Sequence, residues 1–270
     1  MVTLSRFVAG AAALAATTQA ASLQQVTDFG PNTSETKMYL YAPDSLSSAG
    51  NETNAPVVVA IHYCTGTAEA YFFWHALPGF GRAEALSHGG GADTSSIVEM
   101  VSYTLSTYGA DASRVFVTGS SSGAMMTNVL AATYPDVFKA ATVYSGVPAG
   151  CFYTGTVDGW NSVLFGREHP QPEGVGGYCV GHVSWLYWSE AEDACFPWDC
   201  GHDINFNETI KQWTGVFGYS DVPEQTLEQT PSAAYTKYVY GENVVGIYGT
   251  GIGHTVPVMG DQDMAWFGIS

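Results

Sequence analysis

The chain predicts an α/β fold, a mostly parallel central sheet with helices on both faces, and three stretches carry that prediction. Val115 to Gly123 reads V-F-V-T-G-S-S-S-G, a β-branched run ending in Gly-x-Ser-x-Gly, with a helix-like A-M-M-T-N-V-L-A-A-T-Y behind it. Pro56 to Cys64 (P-V-V-V-A-I-H-Y-C) is a short apolar run of the kind buried on both faces of a parallel sheet. Ser95 to Tyr108 places Ile97, Val98, Val101 and Leu105 at helical spacing, so that helix and following strand read as a crossover unit.

In chain order, Met1 to Ala20 comes first. Arg6 sits in a short positive region, F-V-A-G-A-A-A-L-A-A follows, and Thr18-Gln19-Ala20 offers a small-x-small cleavage site. This is the pattern of an export signal, and its apolar run is too short to span a bilayer. Residues 1–20 are therefore expected to be a signal peptide and 21–270 a single catalytic domain, an ordinary size for one core. The strand from Pro56 leads into His62-Tyr63-Cys64-Thr65-Gly66-Thr67, which reads either as a plain strand-end turn or as a loop presenting backbone N–H groups. The helix behind the Val115 strand should stop before Pro135. Lys139 to Gly146 reads as the next strand, residues 209–217 as a helix, and Asn243 to Gly251 as the last strand.

The Gly-x-Ser-x-Gly turn is the chemically informative element. A strand that turns so sharply into a helix holds its middle residue in a strained conformation with the side chain clear of the backbone. Gly119 and Gly123 lack the Cβ atoms that would collide there. Ser121 is thus the expected nucleophile, with the N–H of Ser122 at the positive end of a helix to hold an oxyanion and the backbone at Cys64 as the second donor. The expected base is His254, on a glycine-flanked loop just past the last strand, where the chain order nucleophile, acid, histidine puts it. His62, His75, His88, His169, His182 and His202 are worse placed.

Composition narrows the function classes. Eight basic against 25 acidic residues give a net charge of −17, which repels phosphate backbones and anionic membranes, so neither nucleic acid nor membrane is an expected partner. Asn32-Thr33-Ser34, Asn51-Glu52-Thr53 and Asn207-Glu208-Thr209 are glycosylation acceptors consistent with an exported chain. The five cysteines, Cys64, Cys151, Cys179, Cys195 and Cys200, suggest up to two disulfides in an oxidising compartment. Cys179, Cys195, Cys200 and His202 lack paired Cys-x-x-Cys spacing, so no metal site is expected.

With these residues in hand, the chain resembles the fungal acetylxylan esterases of carbohydrate esterase family 1, relatives of feruloyl esterases and polyhydroxybutyrate depolymerases. The resemblance rests on I-H-Y-C-T-G-T-A-E-A-Y-F, on D-A-S-R-V-F-V-T-G-S-S-S-G-A-M-M-T-N-V-L-A-A-T-Y-P-D-V-F, on Y-S-G-V-P-A-G-C-F, on N-E-T-I-K-Q-W, on G-I-G-H-T-V-P and on the terminal D-M-A-W-F-G. It implies an α/β-hydrolase fold, a Ser121 and His254 pairing, no cofactor, and a secreted monomer that deacetylates xylan or a related plant cell-wall polysaccharide. Feruloyl ester hydrolysis is the specificity alternative. A catalytically impaired carbohydrate-binding homologue and a non-functional product of a mis-assigned reading frame are the alternatives in other classes.

Two stretches depart from the family pattern. The family's catalytic aspartate lies in a His-Gly-Thr-x-Asp segment, and none exists here between Gly166 and Asn205, a stretch that shows neither strand alternation nor a helical face. By position that aspartate falls at Gly201, leaving Asp199 and Asp203 as weak substitutes. Loss of an orienting acid costs about 10⁴-fold in kcat. Read one nucleotide later with suitable synonymous codons, His182 to Asp203 regains a family-like segment containing His-Gly-Thr-Ala-Asp, because each tryptophan codon fixes a GG pair that opens a glycine codon. Phe73 to Gly81 behaves likewise, and the family strand that should follow it is missing, which is expected to leave a gap in the parallel sheet. Sequencing the transcript across codons 70 to 85 and 165 to 205 should reveal two frame disruptions; a single uninterrupted frame encoding these residues would rule out a mis-assigned frame.

Overall fold

The computed structural model describes residues 22–47, 54–63, 67–68, 83–150, 184–191 and 202–269, with backbone alone for 184–191. Its elements are β1 (Gln24–Val26), β2 (Met38–Leu40), α1 (Asp44–Ser47), β3 (Val57–Ile61), a 3-10 turn (Ala83–Leu86) and α2 (Ala92–Tyr108). There follow β4 (Val115–Ser120), α3 (Ser122–Thr133), β5 (Ala140–Tyr144), β6 (Ser184–Ala191) and α4 (His202–Phe217). The chain closes with β7 (Gln225–Glu228), β8 (Tyr235–Gly241), β9 (Val244–Thr250) and α5 (Gly260–Trp266).

The principal sheet has seven strands in the order β3-β4-β5-β6-β9-β8-β7. From β3 to β9 every pairing is parallel, and β8 and β7 add an antiparallel margin. The local sequence accounts for the centre of this layout. All of β4 and β5 is buried, so strands covered on both faces can be apolar along their whole length. On α2 the buried residues Thr94, Ile97, Val101 and Thr104 recur at helical spacing on one face, and Gly109 ends the helix in a left-handed cap at φ 60°. Nearly every residue of α3 is buried, and its alanines and glycine let it lie close against the sheet.

The expected α/β-hydrolase architecture is present, and the strands read at Val57–Ile61, Val115–Ser120, Ala140–Tyr144 and Val244–Thr250 form as expected. One expectation is corrected. The stretch from Gly166 to Asn205, read as having no strand pattern, contributes β6, which pairs Thr142 with Leu186 on one side and Leu186 with Val245 on the other. A strand flanked on both sides in a parallel sheet needs no alternation of apolar and polar residues, and S-W-L-Y-W is rich in residues with high β propensity. Among the described residues the strands from β3 to β7 pair without interruption, and β1 and β2 stand apart as a two-stranded sheet. Among the described residues β3 ends the sheet, and a cleft lies between it and β2, lined also by Ile97, Met100, Val101 and Thr104 of α2.

Buried polar ties fasten the layers where the site lies. Asn128 of α3 donates to the Val147 carbonyl at 2.7 Å and accepts from the Trp213 indole of α4 at 3.1 Å. Gln212 accepts from the Ala149 N–H and donates to its carbonyl, so α4 is stitched to the segment that leaves β5. On the other side Asp263 of α5, 3% exposed, receives the Tyr144 hydroxyl of β5 at 2.6 Å.

Burial pushes the Asp263 carboxyl up to about 7 from an ordinary 3.8, outweighing hydrogen bonds from Tyr144 and Thr142 that pull the other way. The folded chain therefore keeps a proton that the unfolded chain loses first. The resulting contribution to stability is full below pH 3.8 and is lost as pH rises towards about 7. Urea midpoints measured across that window should fall with rising pH, and Asp263→Asn should flatten the slope; an unchanged slope would assign it to other groups.

Candidate active site

Ser121 occupies the sharp join between β4 and α3 at φ 54°, ψ −117°, a conformation that costs a residue with a side chain about 1–3 kcal/mol. Main-chain bonds hold it there. Its N–H donates to the Tyr144 carbonyl at 2.8 Å, and its own carbonyl accepts from the Met125 N–H at 3.0 Å. The flanking glycines are required by contact. A Cβ on Gly119 would lie 2.4 Å from the Gly123 carbonyl, and one on Gly123 would lie 2.1 Å from the Ile61 carbonyl. That second contact seats the first turn of α3 against the C-terminal end of β3.

His254 comes from the loop after β9, turned by Gly251 at φ 71°. Its Nε2 lies 2.9 Å from the Ser121 Oγ, so two side chains separated by 133 positions in the chain meet within hydrogen-bond reach. With the proton on Nδ1, Nε2 is the acceptor and Ser121 the donor. The His254 carbonyl accepts from the Val256 N–H at 3.0 Å, and Val256 is wholly buried, which anchors the loop near the imidazole.

Ser122 is buried, 2% exposed, and its Oγ has no hydrogen-bond partner among the described residues. Its N–H belongs to the first turn of α3, where helix N–H groups have no acceptor within the helix and face the positive end of the dipole. Cys64, the other residue expected to offer an N–H, lies outside the described residues, as do Cys151, Cys179, Cys195, Cys200, Gly201 and Asp199. Asp203 stands in the first turn of α4.

The other histidines are placed elsewhere. His62 is buried at the end of β3, with Nδ1 3.5 Å from the Tyr63 carbonyl. His88 lies at the surface 3.3 Å from the Asp136 carboxylate, with its ring against Tyr134. His202 opens α4, and His75, His169 and His182 fall outside the described residues. No group of histidine, cysteine and carboxylate side chains suited to a metal ion occurs among the described residues. Sequence reasoning missed Tyr144 and Asp263, which pack beneath the pair; the signal was that Tyr144 opens the Y-S-G-V-P-A-G-C-F run and Asp263 the terminal D-M-A-W-F-G run.

A family model described as Esterase PHB depolymerase matches residues 75–158. A probable acetylxylan esterase A of Aspergillus fumigatus is 46% identical over 284 aligned positions, covering 92% of this chain and 74% of the relative. Acetylxylan esterase A of Talaromyces purpureogenus is 46% identical, covering 93% and 72%. Among solved structures, an acetyl xylan esterase from Aspergillus awamori superposes with a TM-score of 0.79 at 43% identity, covering 92% of this chain and 100% of the other. The 284 aligned positions exceed 92% of a chain of 270 residues, so the Aspergillus fumigatus relative has segments within the match to which nothing here corresponds.

The strain at Ser121 can be measured directly. Ser121→Gly should be more stable than Ser121→Ala by about 1 kcal/mol, because only glycine adopts this conformation freely. Urea unfolding of the two variants checks it, and equal stabilities would mean that the turn has relaxed.

Proposed function

The chain belongs to the acetylxylan esterases, a family of carboxylic ester hydrolases, and from that premise we propose that it removes acetyl groups from xylan outside the cell through a Ser121 and His254 acyl-enzyme mechanism. The observation that carries this reading is the 2.9 Å approach of His254 Nε2 to an Oγ presented by a strained strand-to-helix join.

The chemistry follows from that contact. Ser121 Oγ attacks the acetyl carbonyl carbon while its proton passes to His254 Nε2, and the carbonyl oxygen becomes an oxyanion. The Ser122 N–H, at the positive end of α3, stabilises that oxyanion, with the backbone at Cys64 as the second donor. The intermediate collapses as the imidazolium returns its proton to the departing sugar oxygen, leaving acetyl-Ser121 and a free xylan hydroxyl. Water, deprotonated by His254, then attacks the acyl carbon, and acetate leaves as Ser121 regains its proton. Removing an oxyanion donor costs about 10²- to 10³-fold in kcat.

Export rests on the Met1 to Ala20 signal pattern. Among the described residues no helix is long and apolar enough to cross a membrane. Asn207, the acceptor of one glycosylation motif, is exposed on α4, where an attached glycan meets solvent.

Purified protein should release acetate from acetylated xylan, and Ser121→Ala and His254→Ala should each lower kcat by about 10³-fold or more with little change in KM. Acetate release surviving in Ser121→Ala would overturn the nucleophile. Faster hydrolysis of methyl ferulate than of acetylated xylan would overturn the acyl group.

A further inference from the structure

The β4 strand that ends at Ser121 and the β9 strand that leads to His254 are not neighbours, because β5 and β6 lie between them. At about 4.8 Å per strand, β9 is some 14 Å to one side of β4. It also overshoots, for Ile247 is level with Ser120 through Tyr144 and Trp188, and β9 continues to Thr250. The segment after Thr250 must therefore come back across the ends of β6 and β5 to bring an imidazole onto Ser121. An exposed loop returning over that distance would sample many positions, and a 1 Å misplacement of a reacting group is enough to cost about 10²-fold in rate.

A single residue of β5 bonds both to Ser121 and to the segment that carries His254. The Tyr144 main-chain carbonyl accepts the Ser121 N–H at 2.8 Å. Its side-chain hydroxyl accepts the Met259 N–H at 3.0 Å and donates to the Asp263 carboxyl at 2.6 Å. Tyr144 is wholly buried and shares a packed cluster with Val245, Ile247 and Val256, to which Ile252 and Met259 add contacts. The returning segment is thus held on either side of Val256, at His254 by Ser121 and at Met259 by Tyr144. Asp263 locks the tyrosine rotamer from below, and its own N–H donates to the Met259 carbonyl at 3.0 Å.

We propose that Tyr144 and Asp263 are positioning residues for the hydrolytic reaction, a clasp that sets the distance between the Ser121 Oγ and the His254 imidazole. Neither group touches the ester. Their effect is on how much of the time Nε2 stands where it can take the Ser121 proton. The inference rests on the Ser121 and His254 reading above.

Variants Tyr144→Phe, Asp263→Ala and Asp263→Asn test the clasp, with 4-nitrophenyl acetate turnover and the rate of Ser121 labelling by a fluorophosphonate as readouts. Each is measured well below the variant's own thermal midpoint, so that loss of folded protein does not enter. Tyr144→Phe keeps the ring and the main-chain bond to Ser121 but removes the hydroxyl. It should lower kcat and the labelling rate together by about 10- to 100-fold, with KM within two-fold of the parent. Asp263→Ala should do the same, whereas Asp263→Asn, which still accepts the Tyr144 hydroxyl, should recover most of the lost rate. A folded Tyr144→Phe whose kcat and labelling rate match the parent would overturn the clasp, and this variant decides the matter even where Asp263→Ala does not fold. An unreactive Ser121 in the parent chain would instead remove the nucleophile assignment, and the clasp with it.

Discussion

The site depends on a close main-chain contact, the seating of Gly123 against the Ile61 carbonyl at the end of β3. Only a residue without a side chain fits there, and the fit brings the first turn of α3 down onto the sheet. With the helix so low, the chain can pass from β4 into α3 only through a sharp join, and Ser121 takes the positive φ that the join demands. The strain is offset by the bond from its N–H to Tyr144 and by a helix buried along nearly its whole length. Exposure of the Oγ and its place at a helix N-terminus are both consequences of that packing.

A parallel sheet then converts chain order into proximity. Because β3, β4, β5, β6 and β9 all run the same way, every segment leaving their C-terminal ends emerges on one edge. The serine after β4 and the histidine after β9 therefore meet although the chain between them builds the five strands β5 to β9 of the same sheet and the helices α3 and α4. The cost of this economy is lateral distance, which the loop after Thr250 has to cover. Tyr144, Val256 and Asp263 are all buried along this crossing, and the same burial pushes the Asp263 carboxyl up to about 7.

What the sequence disclosed follows from how local each signal is. Ser121, its two glycines and the strands on either side are legible because the turn, the β-branched run and the helix are contiguous. His254 is legible from its place after the last strand and from the family resemblance. Asp263 is not, since its partner Tyr144 is 119 positions away and, although each opens a run of the family resemblance, no local pattern links the two. Strand β8 and the short β7 also escaped notice, because their partly exposed residues carry no strong pattern. Helix α4 begins at His202, seven positions before the periodic stretch that revealed it, since backbone bonding extends a helix past its amphipathic core.

The β6 strand separates two things that a sequence supplies. Pairing is a main-chain property, so a segment unlike the family's can enter the slot between β5 and β9 in register and complete the sheet. Its neighbours offer two rows of parallel hydrogen-bond partners, and each buried N–H or C=O left unpaired there would cost about 1–3 kcal/mol. An orienting carboxylate is a side-chain property, and no amount of strand pairing provides one. The fold is thus far less sensitive than the chemistry to what stands between Gly166 and Asn205.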